Sequence, residues 1–128
     1  MFVGEQCGKA AEAIHFYTSL FKGSEIKTID YYKAGEAGGR EGHVKLARFT
    51  LAGLEYMAID SSMDHKFSFT PSVSIYVACE SEEEINSLFQ KLSEGGSAMM
   101  PLGDYGFSKK FGWLADKYGV SWQLNLNA

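Results

Sequence analysis

Residues 48–60, RFTLAGLEYMAID, and residues 111–127, FGWLADKYGVSWQLNLN, read as two strand hairpins closed at glycines, Gly53 and Gly119. Each hairpin ends a longer unit of the same order. Ahead of the first, AAEAIHFYTSLF (residues 10–21) places Ala10, Ala13, Ile14, Tyr17, Leu20 and Phe21 at three- and four-residue steps. Glu12, His15, Ser19 and Lys22 fall on the other side, which predicts an amphipathic helix on a sheet, stopped at Gly23. Ahead of the second, SEEEINSLFQKLSEGG (residues 81–96) carries an apolar stripe of Ile85, Leu88, Phe89 and Leu92. Ser81 with Glu84 makes a capping box, and Glu82 to Glu84 complement the positive helix end. One strand–helix–strands unit therefore occurs before Pro71 and again after it. Such units do not bury their sheets alone, so the two are expected to share an interior. The fold class is α+β, one strand–helix–strands unit in tandem.

The 128 residues are long enough for one domain with a core of its own. Module one covers about residues 1–60, a linker about 61–71, and module two about 72–128. In module one a strand through GSEIKTIDYY follows the helix, and KAGEAGGREG is a Gly-rich loop without a phosphate-cradling pattern. HVKLARFTL and LEYMAID then pair around Ala52-Gly53. In module two SVSIYVA opens the unit after Pro71, SAMMPL is a strand and GDYGFSKK a loop. Met1-Phe2-Val3 reads as the end of a strand whose start lies upstream.

Net charge is −4, with acidic and basic residues interspersed. No Lys/Arg cluster of the kind that neutralises phosphates is present, so no nucleic-acid partner is expected. No apolar run reaches membrane-spanning length and no charged-then-apolar leader precedes the first strand, so no membrane partner is expected either. Cys7 and Cys79 form no C-x-x-C motif or Cys/His cluster, which points to a reduced, cytoplasmic protein. Both fall at a strand-to-helix junction, where they read as small packing residues.

The runs AAEAIHFYTSLFKGSEI, FTLAGLEYMAID, FSFTPSVSIYVAC and above all GWLADKYGVSWQL resemble PhnB-like proteins. These belong to the vicinal oxygen chelate superfamily, with glyoxalase I, bleomycin-resistance proteins and extradiol dioxygenases. Some relatives carry the name 3-demethylubiquinone-9 3-methyltransferase, but the chain shows no Gly-rich nucleotide loop and no doubly wound βα pattern. The resemblance covers almost the whole chain and implies two tandem βαβββ modules forming a cupped, mixed sheet, the glyoxalase/bleomycin resistance-like fold, usually in a homodimer. It also implies where a metal would sit: catalytic relatives use His and Glu, one of them in each module four residues past the hairpin glycine. Here those positions hold Met57 and Gln123, and the opening strand of module two offers Ser72 and Ser74 in place of His. Gln is neutral and Met soft, so a catalytic metal held in the family's way is not expected.

Alternation marks the same face without the family. In the last strand Val120, Trp122, Leu124 and Leu126 alternate with Ser121, Gln123, Asn125 and Asn127, and the apolar set must face the helix. In SVSIYVA, Val73, Ile75 and Val77 face the core, leaving Ser72, Ser74 and Tyr76 inward. Glu55, Met57 and Ile59 are the matching inward set of module one. The predicted ligand-binding residues are Glu55, Met57, Ser72, Ser74, Tyr76, Ser121, Gln123 and Asn125, a set suited to a small, partly polar organic molecule. The alternative is that they solvate an open sheet face.

Of the histidines, His15 reads as surface, His65 with Asp64 as turn chemistry, and His43 as a possible site residue at the cup rim. Asp116 to Gly119 is first a tight turn, and Trp113 and Trp122 read as core or interface anchors. Met99-Met100-Pro101 reads as packing. Three functions follow: a metal-free binder of a small molecule, a metal-dependent superfamily enzyme, or a dimerisation module with a vestigial cup. The enzyme would need a variant ligand set drawn from His43, Glu55 or Asp60, or from a residue upstream of Met1. The first is the leading reading, with no catalytic residue assigned, no cofactor expected, and a divalent metal open under the second.

Overall fold

The computed structural model describes residues 1–127. Contacts divide the chain into two compact units, Met1–Ser68 and Phe69 onward. In the first unit a 3-10 turn (Gly4–Gln6) precedes helix α1 (Ala10–Leu20), then strands β1 (Glu25–Tyr31), β2 (Val44–Leu51) and β3 (Leu54–Ala58). The sheet runs β1-β2-β3 and is antiparallel, and Phe2 adds a parallel bridge to Asp60 just past β3. The Phe2 amide donates to the Ile59 carbonyl at 2.9 Å, and the Ser61 amide donates to the Phe2 carbonyl at 3.0 Å.

The helical spacing does what it predicts. Ala10, Ala13, Ile14 and Tyr17 are buried, as are Ala47, Phe49, Leu51 and Ala58 of the sheet that α1 packs on. Each large apolar side chain so buried contributes about 1.5–3 kcal/mol. The hairpin closes through a two-residue turn, with Leu51 paired to Leu54. Ala52 (φ +50°) and Gly53 (φ +87°) both take positive φ, as a type I′ turn requires.

The second unit holds β4 (Ser74–Cys79), α2 (Glu82–Ser93), β5 (Ser97–Gly103), β6 (Lys110–Ala115) and β7 (Ser121–Leu126). Its sheet runs β4-β7-β6-β5 and is mixed: β4 and β7 are parallel, the other pairs antiparallel. Position for position this is the order of the first unit, with Phe2 standing where β4 stands. The Ser81 hydroxyl caps α2 by accepting from the Glu84 amide at 3.1 Å. The Glu84 carboxylate accepts from the Glu80 amide at 2.7 Å, one residue before the cap, so the capping box closes one residue early. Under α2 the sheet makes room at Gly112, where a Cβ would come within 2.6 Å of the Phe89 ring.

One expectation needs correcting. Val73 is 78 % exposed, because β4 begins only at Ser74; Val73 and Ser72 lie ahead of the strand and its alternation does not reach them. At the other end of β4, burial and then the Glu84 charge push the Cys79 thiol up to about 12.

Two outcomes follow from these local structures. Ala52→Gly relieves a left-handed Cβ and should stabilise the chain by about 1 kcal/mol in urea unfolding. The buried Cys79 keeps its proton to about 12, whereas an unfolded thiol loses it near pH ~8.5. Stability should therefore fall as pH rises between these values. Cys79→Ala should flatten that limb, read as urea midpoints from pH 8 upward.

Candidate functional site

Strand register lays out the face of the second sheet that turns away from α2. Tyr76 lies beside Gln123, Gln123 opposite Trp113, and Trp113 opposite Met100, one row across four strands. On one side a second row runs Ser74, Ser121, Ala115, and on the other a third runs Ala78, Asn125, Phe111. Leu114, Trp122 and Leu124 occupy the opposite face and are fully buried. The Gln123-outward register predicted from alternation is therefore the one adopted.

The rows differ in how open they are. Ser121 is buried; its hydroxyl shares a hydrogen bond with that of Ser74 at 2.6 Å and accepts from the Trp113 indole nitrogen at 2.8 Å. That network fixes the Trp113 ring. Asn125 is only 5 % exposed, and its amide donates to the Asn127 side chain at 2.9 Å. In the same row Phe111 lies opposite Asn125, and from the loop between β5 and β6 Phe107 meets the Phe111 ring edge-on at 5.0 Å and Tyr105 does so at 6.2 Å. The middle row stays open, with Tyr76 59 % exposed and Gln123 half-buried. Ser72 stands apart and shares a hydrogen bond with Thr70 at 2.7 Å.

In the first sheet Glu55 and Met57 share the face opposite α1, across from Thr50 and Arg48. Arg48 holds the Glu55 carboxylate in an ion pair at 2.6 Å, and this hydrogen bond keeps the Glu55 carboxyl below its usual range. Both partners are about half exposed, so the pair adds little stability. Met57 is exposed beside them.

A further cluster lies within this unit. Lys9 occupies the N-cap of α1 without a side-chain cap bond. Asp60, buried at 4 % exposure, does the capping from fifty residues away, as its Oδ1 accepts from the Gly8 amide at 2.7 Å and the Ala10 amide at 3.2 Å. Its Oδ2 accepts from the Val44 amide at 2.8 Å. Both oxygens thus accept from backbone donors. The same bonds draw the Cys7 and His43 segments together, leaving the Cys7 sulfur 3.6 Å from His43 Nδ1. His65 is no solvated turn residue: its Nε2 meets the Ser61 hydroxyl at 2.8 Å and its ring lies 4.7 Å from Phe67. In the second unit Asp116 fills the turn role: its carboxylate accepts from the Tyr118 and Val120 amides and from the Trp122 indole.

Among the described residues no three His, Cys, Asp or Glu side chains converge closely enough to hold a metal ion. Met57 in the first unit offers a thioether and Gln123 in the second a neutral amide, and neither is an anionic oxygen or imidazole of the kind divalent cations take. The residues do not fit the superfamily's metal.

A helix over a sheet in which the opening segment runs parallel to the last strand, found in each unit, defines the glyoxalase/bleomycin resistance class. A glyoxylase/bleomycin resistance protein/dioxygenase domain from Frankia sp. EAN1pec shares that fold, with TM-score 0.66 at 11% identity over 98% of this chain and 87% of that one. Within the class, a family model described as 3-demethylubiquinone-9 3-methyltransferase matches residues 1–125, and the chain belongs to that family. The PhnB protein from Bacillus cereus is 58% identical to it over 98% of this chain and 95% of that one, with TM-score 0.91. A protein from Pseudomonas aeruginosa is 25% identical with TM-score 0.81, covering 98% and 93% of the two chains. None of the curated proteins matches.

Removing the Asp60 carboxylate strips three backbone amides of their acceptor. Asp60→Ala should cost about 2–4 kcal/mol in urea unfolding, and Asp60→Asn, which keeps one acceptor oxygen, should lose less.

Proposed function

We propose that this chain binds a small, partly polar organic molecule against the open face of its second sheet, without a catalytic metal. The row Tyr76, Gln123, Trp113 and Met100 carries the reading: a primary amide set between two aromatic side chains, with a thioether at the end. Stacking on the rings would supply apolar contact, and the amide and phenol would supply one donor or acceptor each. The fixed Trp113 ring lowers the ordering cost of binding. Neighbouring Ser74 adds a polar wall, while the buried Ser121 and Asn125 support the face from beneath. Glu55 and Met57 give the first sheet a smaller patch of the same mixed character. Methyl transfer is not part of this reading, since the chain has no Gly-rich nucleotide loop.

The same proposal has the chain acting in the cytoplasm as a homodimer, without nucleic-acid or membrane partners. Exposed Val73, Leu54 and Met57 supply apolar surface for a second copy. No helix among the described residues is long and apolar enough to cross a membrane.

A thermal-shift screen of small aromatic amides, phenols and heterocycles tests the site. At least one compound should raise the melting temperature. Gln123→Ala and Tyr76→Ala should each weaken that compound about tenfold, the value of one hydrogen bond or ring contact. Titration with Zn²⁺, Ni²⁺, Mn²⁺ or Fe²⁺ should leave the melting temperature unchanged. Stoichiometric metal would overturn the metal-free reading, and a monomer by native mass spectrometry would overturn the dimer.

A further inference from the structure

The Cys7–His43 contact opens into a recess of about 350 Å³ in the first unit, whose wall also includes Arg40, Ser61, Ser62 and Asp64. Three features make it more than a chance contact. Cys7 follows the 3-10 turn with its amide bonded to the Gly4 carbonyl at 3.1 Å, and it stays half-exposed. His43 is tied at both backbone ends: its amide donates to the Arg40 carbonyl at 3.0 Å, and its carbonyl accepts from the Tyr32 amide at 2.9 Å. Its ring also lies so close to Gly8 (φ +94°) that a Cβ there would sit 3.0 Å from Nε2. Thiol and imidazole are held face to face by backbone bonds, not by each other.

Charge in the recess is divided. Burial and the Asp60 carboxylate raise the Cys7 thiol above its ordinary range, while the Arg40 guanidinium pulls it down. The thiol is therefore protonated near neutrality and needs a base before it can act. His43 Nδ1 is the base in reach, and Arg40 is the one cation among the residues lining the recess.

We propose that Cys7, His43 and Arg40 form a site that captures a small α,β-unsaturated monocarboxylate by conjugate addition. Arg40 receives the carboxylate. The S–H proton passes to His43 Nδ1 and sulfur forms a bond to the β carbon. The C=C electron pair shifts to the α carbon, which takes the proton back from the imidazolium. The net change is addition of S–H across the double bond, with no oxidant or reductant. Asp64 on the same wall disfavours a second negative charge, which restricts the ligand to one carboxylate.

The test uses monomethyl fumarate, with one carboxylate, and neutral dimethyl fumarate, followed by intact mass and peptide mapping at pH 7.5. Cys79, buried and with its thiol pushed up to about 12, serves as the unreactive internal reference. The ratio of the anionic to the neutral rate at Cys7 should exceed that of glutathione at least tenfold. Arg40→Ala should return this ratio to that of glutathione, the ratio cancelling any change in thiol reactivity common to both reagents. His43→Asn should slow both reagents at least tenfold at an unchanged melting temperature, and His43→Ala serves if the first variant is unfolded. A glutathione-like ratio in the unaltered protein, or His43 variants that react at the unaltered rate, would overturn the proposal.

Discussion

A carboxylate taken out of water must find donors, and Asp60 finds them on two segments that are distant in sequence. Gly8 and Ala10 belong to the turn entering α1, and Val44 begins β2. Asp60 itself follows β3, so one side chain ties the helix start and both strands of the hairpin to a single point. An acidic group at a helix N-terminus also suits the helix dipole, which matters here because Lys9 offers no cap of its own. Everything distinctive about the first unit follows from this knot. It sets the entry angle of α1, positions the Phe2 bridge, and brings a cysteine against a histidine.

The second unit solves its own joining problem with another aspartate, placed differently. Asp116 sits in the β6–β7 turn and binds two amides of that turn together with the Trp122 indole. The first unit needs no such group in its hairpin, because two positive-φ residues close it in the shortest form. The units therefore share strand order but not fastenings. Identical topology leaves each free to carry different chemistry: stacked aromatic and amide groups on one sheet, a thiol and an imidazole near the helix entry of the other.

Legibility in the sequence follows the range of the interaction. The helix stripes, the Ser81 cap, the hairpin glycines and the outward register of Gln123 are all set by neighbours a few residues apart, and each was readable. The sequence offers Asp60 only as a member of a variant ligand set, because its three donors lie sixteen and about fifty residues away. The Cys7–His43 contact spans thirty-six residues and carries no local pattern. Asn125 alternates as an open-face residue should, yet it is buried, which no local pattern marks. Val73 misled for the opposite reason: the alternation is real, but the strand starts one residue later.

Strand order in the second unit has a consequence for how that unit comes into being. β4 finds its partner only in β7, across a gap of forty-seven residues, and β7 lies in the interior of the sheet. On a chain emerging from the ribosome, β4 and α2 appear first and have no sheet to join. The β5–β6 hairpin can form next, but its free edge and that of β4 stay unsatisfied until the strand between them arrives. Assembly thus waits on the last strand of the unit, which slides in as a central rib and seals both edges together. Until then Trp122, Leu124 and Leu126 are absent from the core they complete, so a nascent chain paused before β7 is exposed to mispairing with other strands.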